Sequence, residues 1–67
     1  MSDTLNDRHL TVMQSLAQGK NIEQIAGDLK MSRRMIDIYI MQAKERLSAK
    51  TSVEAVVKAM KSGYIDV

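Results

Sequence analysis

The sequence predicts an all-α domain of four short helices, and three observations carry that prediction. The 67 residues include no Pro and few aromatics, while Met, Ala, Ile, Lys and Gln are abundant. Apolar residues recur at three- and four-residue intervals in four separate stretches, the period of helices buried on one face. Each stretch follows a residue whose side chain can cap a helix: Asn6, Asn21, Ser32 and Thr51.

Residues 1–4 are polar and expected to form a flexible, frayed terminus, leaving 5–67 as one domain. In the first helix Asn6 is the expected cap, and Asp7 sits near the positive helix end. Leu5 and Leu10 occupy the two positions of a hydrophobic staple, which fixes how the chain enters the helix. Leu10, Met13, Leu16 and Ala17 form the expected buried stripe, with Val12 at its edge. His9 reads as a surface residue of the first turn. Gly19 is the expected stop, because a left-handed backbone is easy without a Cβ.

Helix two places Ile22, Ile25, Ala26 and Leu29 on one face, and Asn21 with Gln24 has the spacing of a capping box. Gly27 costs about 1 kcal/mol relative to Ala in a helix interior. It reads either as tolerated strain or, with Ala26, as room for a neighbouring helix. Only Lys30 and Met31 precede Ser32, the cap of helix three, so the two helices must meet at a steep angle. Such a helix-turn-helix presents its second helix to a nucleic-acid groove. Lys30 occupies the turn, where Gly would be the easier residue if the backbone is left-handed.

Helix three spans about Arg33 to Leu47, with a buried stripe of Ile36, Tyr39 or Ile40, Ala43 and Leu47. Its charged set is Arg33, Arg34, Asp37, Lys44, Glu45 and Arg46. Arg33 and Arg34 suit phosphates or guanine edges; a solvated helix face is the plainer reading. Asp37 repels phosphate, and Ile38 and Met41 gain nothing from facing water. Thr51 and Glu54 then give a second capping-box spacing for helix four, about 52–62. Val53, Val56, Val57 and Met60 with Ala55 and Ala59 cover more than one narrow stripe. Either one set closes the core while another meets a partner, or all of them are core. Gly63 is a second stop, after which Tyr64 and Ile65 are expected to fold back.

Several function classes are excluded on composition. There is no Cys, hence neither a disulfide framework nor a thiolate metal site, and a lone His9 builds no metal site with them. Neither metal nor cofactor is expected. No apolar run approaches the roughly 20 residues of a membrane span, and no secretory signal pattern is present, which predicts a cytoplasmic protein without membrane contact. Ser15, Asp28 and His9 lie on different expected surfaces, so no catalytic residues and no enzyme activity are expected. The net charge of +2 permits nucleic-acid binding without demanding it.

From Leu5 to Ile65 the chain resembles the LuxR/GerE-type helix-turn-helix domain of bacterial transcription regulators. The matching landmarks are Leu5, Arg8 and Gly19, then Ile25, Ala26, Leu29, Met31 and Ser32 through the turn. They continue with Ile36, Arg46 and Leu47, and end with Glu54, Ala55, Val56, Ala59, Gly63 and Ile65. The resemblance implies a four-helix domain, major-groove docking of helix 33–47 and dimerisation through helix four. It also implies a standalone regulator, as in GerE-like proteins, of bacterial or phage origin. The family usually carries Thr-Val-Lys where this chain has Met35, Ile36 and Asp37. It has His at the place of Tyr39, Asn at that of Gln42 and Arg at that of Ser52.

Two functions remain open on these grounds. In the first, the chain is a small DNA-binding transcription regulator acting as a homodimer on double-stranded DNA. Lys20, Asn21, Arg33, Arg34, Lys44 and Lys50 would anchor phosphates, Ile38 and Met41 would contact thymine methyls, and Asp37 would lie at the same interface. Val53, Val57, Met60, Lys61 and Tyr64 would form the dimer interface. In the second, the fold has kept its shape but lost its DNA contacts. It then binds a protein partner, such as a full-length LuxR-type regulator, through helix four or the Met-rich face of helix three.

Overall fold

Four helices follow the four capped stretches: α1 (Asp7–Ala17), α2 (Ile22–Leu29), α3 (Arg33–Arg46) and α4 (Ser52–Lys61). The computed structural model describes residues 5–66, so the expectation for residues 1–4 lies outside the described residues. The fold is all-α, and no described residue is in a strand. No described helix is long and apolar enough to cross a membrane.

The helix starts are held as the cap residues predict. Asn21 Oδ1 accepts the Gln24 N–H at 2.8 Å, and Gln24 Oε1 accepts the Asn21 N–H at 2.9 Å. Ser32 Oγ accepts the Met35 N–H at 3.1 Å. At α4, Thr51 Oγ1 accepts the Glu54 N–H at 3.0 Å. The Glu54 carboxylate does not return to Thr51, as the expected box requires; it reaches one residue farther, accepting the Lys50 N–H at 2.7 Å. That backbone bond, with the Lys58 ammonium nearby, holds the Glu54 carboxyl below its usual range.

Each helix ends in a left-handed residue: Gly19, Lys30, Ser48 and Gly63, with φ of 88°, 55°, 55° and 81°. The next N–H then reaches back to a carbonyl of the last turn. The bonds are Lys20 to Ser15 at 3.1 Å, Met31 to Ala26 at 2.9 Å, Ala49 to Lys44 at 2.8 Å and Tyr64 to Ala59 at 2.9 Å. Two of these stops therefore use glycine and two carry the strain of a side chain. After the last, Ile65 turns back into the core while Tyr64 stays 37% exposed. Gln14 clamps the returning chain: its Oε1 accepts the Asp66 N–H, and its Nε2 donates to the Asp66 carbonyl.

α1 and α3 form the centre, with α2 and α4 against them; no Cα of α2 lies within 8 Å of one in α4. The core accordingly divides. Leu5, Met13, Ala43, Ala55, Ala59 and Ile65 make one cluster between α1, α3 and α4, and the half-buried Leu10 and Met60 pack against it. Val12, Ile25, Ala26, Ile36 and Ile40 make the other, between α1, α2 and α3. Leu16 packs against both.

Two further expectations are corrected, at Val12 and His9, and the alternatives for Gly27 are decided. Val12 is not at the edge of a stripe: α1 faces two clusters at once, so consecutive residues Val12 and Met13 are both buried, one in each. Gly27 makes no room for a helix, because it is exposed and a Cβ built there meets no atom within 4 Å. His9 is not a surface residue; it is 1% exposed. Its ring completes the α1 capping box, with Asn6 Oδ1 accepting the His9 N–H at 3.0 Å and Nδ1 accepting the Asn6 N–H at 3.2 Å. An accepting Nδ1 puts the ring proton on Nε2, which donates to Gln42 Oε1 at 2.8 Å. Tyr39 packs edge-on against the same ring, centroids 5.2 Å apart.

Candidate nucleic-acid interface

The turn Lys30–Met31 and the Ser32 cap set the direction of α3, and its burial sets its rotation. Ile36, Ile40 and Ala43 face the core, with the cap residue Leu47 half-buried below them. On the opposite side, at the i, i+4, i+7 and i+11 positions of one face, stand Arg34, Ile38, Met41 and Glu45. Met41 is 53% exposed. Ile38 is half-buried yet packs with neither core cluster. Arg33, Asp37 and Lys44 run along one flank of this stripe. Met35, Gln42 and Arg46 run along the other, where Arg46 Nη1 approaches His9 Nδ1 at 3.4 Å.

The cations expected to meet phosphate are not equally free. Lys20 Nζ lies 2.9 Å from Asp28 Oδ2, and Arg33 Nη1 lies 3.5 Å from Glu23 Oε1. Both pairs are solvent-exposed, so each contributes about 0–1 kcal/mol and yields readily to a phosphate. Asn21 uses its side-chain oxygen as the α2 cap, leaving its amide N–H groups available. Asn21 and Arg33 line one shallow groove with Glu23 and Ser52, where α2, α3 and α4 converge. Lys50 is exposed in the α3–α4 connection and does not line that groove. Asp37 is exposed, with neither an ion pair nor a side-chain hydrogen bond among the described residues.

Sequence reasoning left two residues outside the expected contact set. Glu45 was grouped only with the charged residues of helix three, yet it continues the outward stripe one turn beyond Met41; counting eleven residues from Arg34 would have found it. Lys30 projects from the turn itself with its side chain exposed. Carboxylates Glu23, Asp28, Asp37 and Glu45 thus alternate with Lys20, Lys30, Arg33, Arg34 and Lys44 across α2 and α3. The surface is mixed in sign, not a uniform basic patch.

A second surface lies on α4. Ala55 and Ala59 take its core positions, fully buried, while Val53 and Val57 are 72% and 38% exposed. With Val56, Met60, Leu16 and Ala17 they line an open apolar groove of about 290 Å³. The expected dimer residues are divided by this arrangement. Val53, Val57 and Met60 share the groove, Lys61 is exposed at the end of α4 and does not line it, and Tyr64 lies with Leu10 and Gln14 in a separate depression. Among the described residues no group of three or more His, Cys, Asp or Glu is placed to hold a metal ion.

The sequence pattern of the bacterial regulatory proteins of the luxR family matches residues 3–59. The transcriptional regulatory protein DesR of Bacillus subtilis (strain 168) is 30% identical over 63 residues, which cover 94% of this chain and 32% of that protein. The chain spans about a third of the length of this relative.

Proposed function

The chain belongs to the luxR family of bacterial regulatory proteins, and from that premise we propose that it is a DNA-binding transcription regulator acting as a homodimer in the cytoplasm. α3 docks in the major groove, with Arg34, Ile38 and Met41 against base edges and Arg33, Lys44, Lys20, Asn21 and Lys50 toward phosphates. The similarity to a transcriptional regulatory protein supports the same reading. The observation that carries it is the rotation of α3, which buries Ile36, Ile40 and Ala43 and leaves Arg34, Ile38 and Met41 outward. Apolar side chains on such a face can meet thymine methyls, and Arg can hold guanine O6 and N7. Assembly uses the apolar groove of α4, which places two reading helices on one duplex.

Asp37 favours a second reading. An exposed carboxylate with no ion pair among the described residues, beside the outward stripe, opposes phosphate and suits a basic residue on a protein partner, such as another transcription regulator. One substitution separates the two. In the DNA-binding protein, Asp37→Lys raises general DNA affinity and blurs sequence preference, because it removes a selective acceptor for cytosine N4 and adds a phosphate contact. In the partner-binding protein the same change abolishes the complex. Affinity of the variant for genomic DNA fragments and for the partner regulator decides; a variant unchanged in both overturns any role for this face.

A further inference from the structure

The methionines of this chain fall into distinct environments. Met13 is fully buried in the α4-side cluster. Met31 and Met60 are half-buried, each packed against a core cluster. Met41 and Met35 are 53% and 38% exposed, and both belong to α3. Met41 lies on the outward stripe beside Ile38, one turn away, and Met35 lies on its flank. The sequence has no Cys, so no thiol of this chain competes for an oxidant.

We propose that Met41, with Met35, is a site of reversible oxidation that disarms the outward face of α3. The inference rests on the reading of that face as the DNA-docking surface. The oxidant is a two-electron oxygen donor of the peroxide class. The thioether sulfur attacks the peroxide oxygen, an S–O bond forms, the O–O bond breaks and water leaves; sulfur loses two electrons and peroxide gains them. The sulfoxide is polar where the thioether was apolar and polarizable. At Met41 it destroys the surface that complements a thymine methyl, while the buried Met13 is shielded from the same reagent. A sulfoxide reductase supplied with a dithiol reverses the change: the dithiol is oxidised to a disulfide, sulfur regains two electrons and the oxygen leaves as water. The modification therefore acts as a switch and not only as damage.

The test uses the folded chain, hydrogen peroxide as the oxidant, and a DNA fragment that the untreated protein binds. Peptide mass spectrometry should find sulfoxide first at Met41 and then at Met35, with Met13 still a thioether and the helical circular dichroism unchanged. Affinity for the fragment should fall about five- to tenfold, the scale of one lost base contact, and sulfoxide reductase should restore it. The variant carrying Met41→Leu and Met35→Leu should hold its affinity through the same treatment. Oxidation of Met13 in step with Met41 overturns the proposal, as does complete oxidation of Met41 with no change in affinity. If the untreated protein binds no DNA, the docking reading has failed and the switch falls with it. The two failures are distinguishable because sulfoxide positions are read without DNA.

Discussion

His9 donates from Nε2 to Oε1 of Gln42 at 2.8 Å, joining the first turn of α1 to the middle of α3. The same ring closes the α1 cap through Nδ1 and supports Tyr39 through its edge. The outward helix is therefore referenced to the beginning of the domain by a fully hydrogen-bonded buried side chain.

Removing that ring should be costly. His9→Ala leaves the Asn6 N–H and the Gln42 amide oxygen without partners and opens a void against Tyr39, a loss of about 2–4 kcal/mol. Gln42→Ala, at a half-buried position, should cost about 1 kcal/mol. Urea unfolding followed by circular dichroism gives both values, and a His9→Ala loss below that of Gln42→Ala would remove the ring from this role.

Gly27 and Lys30 reverse the usual backbone preferences: glycine stands in an exposed helix interior, and lysine takes a left-handed stop. Gly27→Ala meets open space and should stabilise by about 0.5–1 kcal/mol. Lys30→Gly relieves the positive φ and should gain a similar amount, about 0.5–1 kcal/mol. The midpoint of thermal unfolding should rise for each, and the double variant should show the sum.

Arg33→Ala combined with Arg34→Ala should weaken DNA binding and flatten the dependence of log affinity on log salt by about one, the share of the Arg33 phosphate contact. Arg33→Ala alone should account for the change in slope, since its exposed pair with Glu23 yields to a phosphate, whereas Arg34→Ala alone should mainly relax sequence preference. Stability should change by less than about 1 kcal/mol, since the Arg33–Glu23 pair that is lost is exposed. An unchanged slope and an unchanged sequence preference in the double variant place both residues outside the interface.

Val53→Asp with Val57→Asp should give a folded monomer. Both side chains are exposed, whereas Met60 packs against the core and a charge there would unfold the domain as well as separate it. Sedimentation measures the outcome. An unmodified protein that is monomeric at high micromolar concentration would show that the α4 groove does not bind a second copy.

Glu54 supplies a pH test. Its carboxyl is depressed by the Lys50 N–H and the Lys58 ammonium, so its contribution to the α4 cap is complete above the unfolded value and disappears as pH falls through the lower folded one. Titration followed by carboxyl NMR should give a midpoint below 4.5. Glu54→Gln should remove that titration and its share of the acid sensitivity of α4.

The helix starts were legible because Asn6, Asn21, Ser32 and Thr51 are local signals, and the stops at Gly19 and Gly63 were too. The buried side of α3 was legible because Ile36, Ile40 and Ala43 keep one period. His9 was not, since a polar side chain in a first turn ordinarily faces water. The available signal was its N3 position after Asn6, where a side-chain acceptor can return to the cap. The burial of Val12 was not legible because a single apolar stripe does not describe a helix that serves two clusters. The outward set of α3 was recoverable in part: Ile38 and Met41 stood out as apolar, whereas Glu45 resembled any solvated residue until the rotation of the helix was known.

The separation of α2 from α4 bears on how the domain opens. Opening of one helix from the α1–α3 pair need not disturb the other, so amide exchange is expected to follow two local routes short of global unfolding. Leu16 packs on both sides and belongs to both routes. Trimming it should weaken both attachments together, so that the amides of α2 and α4 exchange faster in step.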